Sequence, residues 1–319
     1  MMLAEILKPE YFYQPRVALR RLLPFRRLST VEFVDEQLPW GMSIRVRPLE
    51  EHGRILSTLG VIDLIVTETL WRLAEPGDMA VDVGANIGYM TALLAARIGS
   101  VSGASVQAFE AHPEIFQELK YNAEEWRKQL RHTKIDIHHM AISDHRGTVT
   151  LTIPDSFSTN RGLAYVVDAN DDVAQHESNR LHNVMVKAVP LDELFPAPKQ
   201  IGVLKLDVEG HEFHVLQGAV NLVQEQRVRD CVFEERRHYP TNVTNFFEKM
   251  GYKVFRLQRH FFGLLLLAPD SNVALSKWLP TSFLATQQPD RAINRFKERG
   301  WQVLKRKQIN ASDAVSTSS

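Results

Sequence analysis

The chain has 319 residues, 44% of them hydrophobic, enough for a packed core in one large domain or two small ones. Its 38 basic and 38 acidic residues cancel, so the overall charge gives no reason to expect nucleic acid or a strongly acidic partner. The single cysteine, Cys231, excludes an intrachain disulfide and a cysteine-rich metal centre, and it fits a reducing, cytoplasmic setting.

Residues 1–30 interleave Arg16, Arg20, Arg21, Arg26 and Arg27 with Leu, Phe and Tyr. That pattern suits a short basic amphipathic helix, either packed on the domain or resting on an anionic membrane surface or a partner enzyme. A strand is expected over 43–48 (SIRVRP) and a helix over 63–73 (DLIVTETLWRL), ending before Pro76 and Gly77. Residues 79–88 (MAVDVGANIG) read as a buried strand breaking into a Gly-spaced turn, and the strong helix formers of 89–97 (YMTALLAAR) follow. A second strand over 104–110 (ASVQAFE) ends in Glu110, and Pro113 opens the next helix, where its missing N–H is harmless. A third strand spans 135–142 (IDIHHMAI), then a turn over 143–147 and an alternating strand over 148–153 (TVTLTI).

The polar stretch 154–183 reads as a long loop, either a candidate acceptor lid with Asn160 and Arg161 available for hydrogen bonds to hydroxyl groups or an insertion without function. Strands resume at 184–189 and 201–208 (IGVLKLDV), with a helix over 210–223. Three more strands follow at 230–234, 252–257 and 261–267, the last two forming a hairpin across residues 258–260. Residues 270–319 read as one helix near 291–307 and a Ser-rich tail of disordered composition. The longest apolar stretch, 261–268 (FFGLLLLA), is far short of the roughly 20 residues of a membrane span, and the start lacks a secretory h-region. Strands alternating with helices and closing on an antiparallel hairpin predict an α/β doubly wound sheet with one reversed strand. Three regions follow: an extension over 1–58, a central domain over 59–269 and the C-terminal helix and tail over 270–319.

In such a sheet, ligands bind at the carboxyl ends of the strands, around the point where strand order reverses. Asp82 and Gly84 close the first strand, Glu110 the second, Asp144 follows the third, Asp207 and Glu209 the fourth, and Glu234 and Glu235 the fifth. A dinucleotide pyrophosphate would be opposed by Asp82 beside its glycine turn, whereas a cationic sulfonium or ammonium would tolerate it. The pattern D-x-G-x-N-x-G, with Gly84, Asn86 and Gly88 in the turn, therefore points to S-adenosylmethionine, its glycines letting backbone approach the ligand. Glu110, an acceptor-only group, suits a bidentate grip on both ribose hydroxyls. At the junction 205–212 (KLDVEGHE), Asp207, Glu209, His211 and Glu212 could orient the methionine ammonium, hold a divalent metal through Asp207 with Glu234, or supply a general base. Asp207, Glu209, His211 and His238 are the candidate catalytic residues.

With those residues in place, the chain resembles the FkbM family of S-adenosylmethionine-dependent methyltransferases. The matching pieces are 82–88 (DVGANIG), 108–113 (AFEAHP), 141–144 (AISD) with Gly147, 191–194 (LDEL) and 205–212 (KLDVEGHE), covering roughly 60–268. One departure is Ala111-His112, where the family often has Pro-Asn or Pro-His before the proline. The resemblance implies a class I methyltransferase fold, Rossmann-like with seven strands and the last antiparallel, over 59–269. It also implies a cofactor site that includes Ser143 and Asp144 with Asp82, Gly84, Asn86, Gly88, Glu110 and Asp207. The activity implied is methylation of a hydroxyl on a sugar, polysaccharide or secondary metabolite. Two other readings stay open: a non-catalytic cofactor-binding subunit of a biosynthetic assembly, and a nicotinamide-dependent oxidoreductase.

Overall fold

The structure, a computed structural model, describes residues 9–13, 31–153, 165–167, 182–273 and 281–305. The basic N-terminal arginines, Asn160 and Arg161 of the expected lid, and the Ser-rich tail lie outside the described residues. In chain order the strands are β1 (Val34–Gln37), β2 (Ser43–Val46), β3 (Met79–Val83), β4 (Ser105–Glu110), β5 (Lys134–His139), β6 (Ala141–Ile142), β7 (Gly147–Ile153), β8 (Tyr165–Val167), β9 (His182–Val189), β10 (Ile201–Leu206), β11 (Val228–Glu235), β12 (Lys253–His260), β13 (Gly263–Leu267) and β14 (Thr281–Thr286).

The main sheet has the order β13-β12-β14-β11-β10-β3-β4-β5, with β3, β4, β5, β10 and β11 parallel. Strand order reverses between β3 and β10, and the carboxyl ends on either side of that point carry the acids picked out from the sequence. Side chains alternate across the sheet: Ala80, Val106 and Val203 join the core on one face, and Val81, Phe109 and Leu204 join the core on the other. Both faces are therefore covered, as a parallel sheet requires.

The sheet differs from the expected seven strands in having an eighth, and in where its reversed strand comes from. β14 lies beyond residue 269, in the segment read as helix and tail, yet it is inserted antiparallel between β11 and β12. Phe283, Leu284 and Ala285 at its centre are buried, so the sheet draws on the C-terminal region for its own core. β13 then pairs antiparallel with β12 at the sheet edge. The C-terminal helix covers Pro289–Phe296, and a short 3-10 turn follows at Gln302–Leu304.

Two expected elements are interrupted. The strand over 135–142 divides at Met140, its first part staying in the main sheet and Ala141–Ile142 joining a four-stranded sheet of order β6-β9-β7-β8. The helix over 210–223 divides into Glu212–Gln217 and Val220–Gln224 at Gly218, where a Cβ would stand 2.0 Å from the Ser143 carbonyl oxygen. At the other end of the chain, Trp40, Met42, Ile44 and Val46 pack into the main core beside the helix Pro113–Gln129, whose Trp126 indole donates to the Ser43 carbonyl at 2.7 Å.

Candidate active site

The glycine turn after β3 is shaped by its neighbours. Gly84 has φ +78°, and a Cβ there would fall 1.8 Å from the Asp207 carbonyl oxygen. Gly88 has φ +94°, and a Cβ would meet Leu119 at 2.6 Å and Trp126 at 2.7 Å. These glycines were expected to admit a ligand to the backbone. They also admit the β10 strand end and the helix Pro113–Gln129, which close on the turn from either side. Asn86 sits between them in the left-handed region at φ +52°. Its N–H donates to Glu110 Oε2 at 2.8 Å, while the His112 N–H donates to Glu110 Oε1 at 2.7 Å. Burial raises the Glu110 pKa against these two donors. The carboxylate is thus fixed with a lone pair still free on each oxygen.

Asp82 does not line the cavity at these strand ends. It is fully buried, its Oδ2 accepting from Thr91 Oγ1 at 2.6 Å and its Oδ1 lying 3.2 Å from Lys205 Nζ. The same ammonium donates to the Gly84 carbonyl at 2.7 Å and stands 3.4 Å from Asp207 Oδ2. Burial alone would lower the Lys205 pKa, but Asp82 and Asp207 outweigh it and hold the ammonium charged. The charge attributed to Asp82 in favouring a cationic ligand is therefore neutralised by Lys205 beneath the turn, a pairing that leaves Asp207, with its side chain 40% exposed, as the acid open to the cavity.

That cavity, of about 630 Å³, lies at the carboxyl ends of β3, β4, β10 and β11, and Gly84, Asn86, Glu110, Asp207, Glu209, His211 and Glu234 all line it. Glu209 adopts φ +53° and pairs with Arg236. Burial, with Asp207 beside it, pushes its pKa up to about 7 despite that arginine. Glu212 accepts from the Val208 N–H at 3.0 Å, holding the loop in which Glu209 sits. His211 lines the cavity but is nearly buried, with Nε2 at 2.9 Å from Ser143 Oγ and its ring stacked on His214.

Besides Asp82 and Gly88, three expected site residues lie outside this cavity. Ser143 is fully buried behind His211, and Asp144 turns to His145 Nδ1 at 2.5 Å; neither lines the cavity. His238 is exposed and lines a different cavity, because the chain after β11 swings away beyond Arg236. Asp207 and Glu234, the suggested metal pair, both line the large cavity. Glu234 is hydrogen-bonded to Asp63, and its pKa is pushed up to about 10 by burial, Asp207 and Asp63. Among the described residues no group of three or more His, Cys, Asp or Glu side chains is placed to hold a metal.

Asp63 and His52 are cavity residues that sequence reasoning missed. Asp63 is the N-cap of the helix Leu64–Leu73, accepting from the Ile65 and Val66 N–H groups at 3.2 Å each. An Asp directly before an apolar helical run is an N-cap signature, and that signal was available. His52, whose pKa burial lowers, carries no local signal at all.

A family model described as the methyltransferase FkbM domain matches residues 82–254, more than half of the chain. A hexuronic acid methyltransferase from Haloferax volcanii is 29% identical over 194 residues, 60% of this chain and 70% of its own. Among solved structures, the methyltransferase FkbM from Methylobacillus flagellatus aligns at 14% identity over 70% of this chain and 55% of its own, with a TM-score of 0.39. A SAM-dependent O-methyltransferase from Thermotoga maritima aligns at 15% identity over 70% and 64%, with a TM-score of 0.36. The match thus spans little more than half of the first of these structures and under two thirds of the second.

Proposed function

The chain belongs to the FkbM methyltransferase family, and from that premise we propose that its large cavity binds S-adenosylmethionine and methylates a hydroxyl of a sugar or sugar-containing metabolite. The observation that carries this reading is Glu110, held at the end of β4 by two backbone donors in the same cavity as Asp207 and Glu209. A preorganised acceptor-only group there suits a ribose diol. Asp207, open to the cavity, suits the methionine ammonium. When bound, the cofactor supplies a methyl group already activated by its sulfonium. The protein's part is to align the acceptor and keep water out.

Glu209 is the general base. Its raised pKa matches proton transfer near neutral pH, and Arg236 holds it in place to accept the hydroxyl proton. Asp63 and Glu234 share a proton, and together they offer both a donor and an acceptor to acceptor hydroxyls. His211, tied to Ser143, is a positioning residue for the loop that carries Glu209. The sugar acceptor is suggested by the name of the Haloferax relative. Membership of a methyltransferase family displaces the nicotinamide alternative.

Calorimetric titration of S-adenosylmethionine tests the first half. Binding by the intact chain, abolished in Glu110→Ala and kept in Asp144→Ala, is expected, and undiminished binding by Glu110→Ala would sink it. Mass detection of a one-methylene gain on glycan or metabolite extracts tests the second half. Cofactor binding without transfer to any acceptor pool would turn the reading into that of a cofactor-binding subunit.

A further inference from the structure

A second cavity, of about 340 Å³, lies between the chain that follows β11 and the strands β12 and β14. β14 divides its side chains between the two cavities: Ser282 lines the first, Thr281 and Phe283 the second. The second is anchored by Arg256, which is 4% exposed. Its Nη1 and Nη2 donate to neutral acceptors, the carbonyls of Ser271 at 3.0 Å and Val273 at 2.9 Å. Its Nε is buried without a hydrogen-bond partner among the described residues. The two other buried arginines among those residues each have a carboxylate, Arg72 with Glu68 at 2.6 Å and Arg227 with Glu225 at 2.7 Å. Among the described residues Arg256 has none.

A buried guanidinium without a counter-charge is costly to the folded chain. Arg237 and His238, both exposed, line the same cavity, as does one exposed acid, Asp270, which does not pair with Arg256. Arg237 donates to Glu235 through Nε and Nη2, each at 3.2 Å, and keeps Nη1 outside that pair. We propose that this second cavity is a subsite for an oxyanion, the phosphate or carboxylate group of a small molecule, with Arg256 as its anchor and Arg237 as a supporting cation. Both groups match the planar donors of a guanidinium. The volume exceeds what an isolated anion fills and lies in the range of roughly 300–1,000 Å³ of small-molecule pockets, leaving room for the body that carries the anion. The inference stands apart from the methyl-transfer reading, since the two cavities share no lining residue.

The test is calorimetric titration of the full chain with inorganic phosphate and, separately, with acetate, each at an ionic strength held constant with chloride. Saturable binding of at least one anion is expected, weakened about tenfold in Arg256→Gln by loss of a charged donor. Arg237→Gln, at an exposed position, weakens it about threefold, and Thr281→Glu, which brings a carboxylate into the cavity, abolishes it. These two variants decide the matter if Arg256→Gln does not fold. An adventitious ion only, seen as binding unaltered by all the variants that fold, overturns the proposal, as does the absence of saturable binding by either anion.

Discussion

Lys205 holds more of the site together than any other single side chain. It is buried between Asp82 and Asp207 and also binds the Gly84 carbonyl, so it joins two strand ends and the turn. Lys205→Met would leave a fully buried Asp82 facing no cation, and breaking a buried pair in this way costs about 3–5 kcal/mol. Urea unfolding should register that loss, and a change below about 1 kcal/mol would show that the carboxylates do not depend on the ammonium. Glu209 carries a different expectation. With its pKa near 7, the methyl-transfer rate should rise with pH through about 7 and then level, as the carboxylate form accumulates. Glu209→Gln should remove that limb and lower kcat about 100-fold, whereas an unchanged profile would assign the proton to another group. Glu234 acts on stability instead. Its folded pKa, near 10, lies above the ordinary glutamate value, so its contribution is fully present at low pH and is lost as pH rises towards 10. Relative to Glu234→Gln, the wild type should lose stability steadily between about pH 5 and 9, by at most about 1.4 kcal/mol per pH unit. A flat difference between the two would mean that Glu234 is ionised throughout.

Elements were legible in the sequence wherever their signal was local. The turn from β3 into the helix Tyr89–Ile98 announced itself through Val81, Val83, Gly84 and Gly88, and Glu110 through the apolar strand before it. The reason for Gly88 was not legible, because Trp126 and Leu119, which crowd it, arrive from a helix whose packing no local pattern specifies. β14 was missed for a related reason. Its six residues (TSFLAT) mix hydroxyl and apolar side chains without a hairpin partner beside them in the chain, and their place is set by β11 and β12 on either side. Asp63 meets Glu234 across a separation in the chain that only the folded sheet closes. A chain cut after residue 270 tests the part played by β14. Without that strand, β11 and β12 lose their shared partner and expose unpaired edges, so the fragment should be aggregated or lack a cooperative unfolding transition. A soluble fragment that still unfolds cooperatively would show β14 to be dispensable.

Across the whole molecule, both ends of the described chain are tied to the body that carries the site. Glu10, in the helix Pro9–Tyr13, is held by Arg259 of β12 at 2.6 Å, and both residues line the large cavity. At the other end, Arg291 bridges Asp230 and Glu75, and the Gln302 and Val303 N–H groups donate to Glu68 of the helix Leu64–Leu73. The cavity wall therefore includes residues from position 10 to position 282, and its ligand should stabilise the molecule as one unit. S-adenosylhomocysteine at about one hundred times its Kd should raise the unfolding free energy by about 2.7 kcal/mol, because only the folded chain binds it. Calorimetric unfolding should then show one transition, displaced as a whole to higher temperature, with Glu110→Ala abolishing the displacement. Two transitions, with only one responding to the ligand, would mean that the segments before residue 60 or after residue 270 fold as a separate unit, and that their contacts with the cavity wall do not couple them to it.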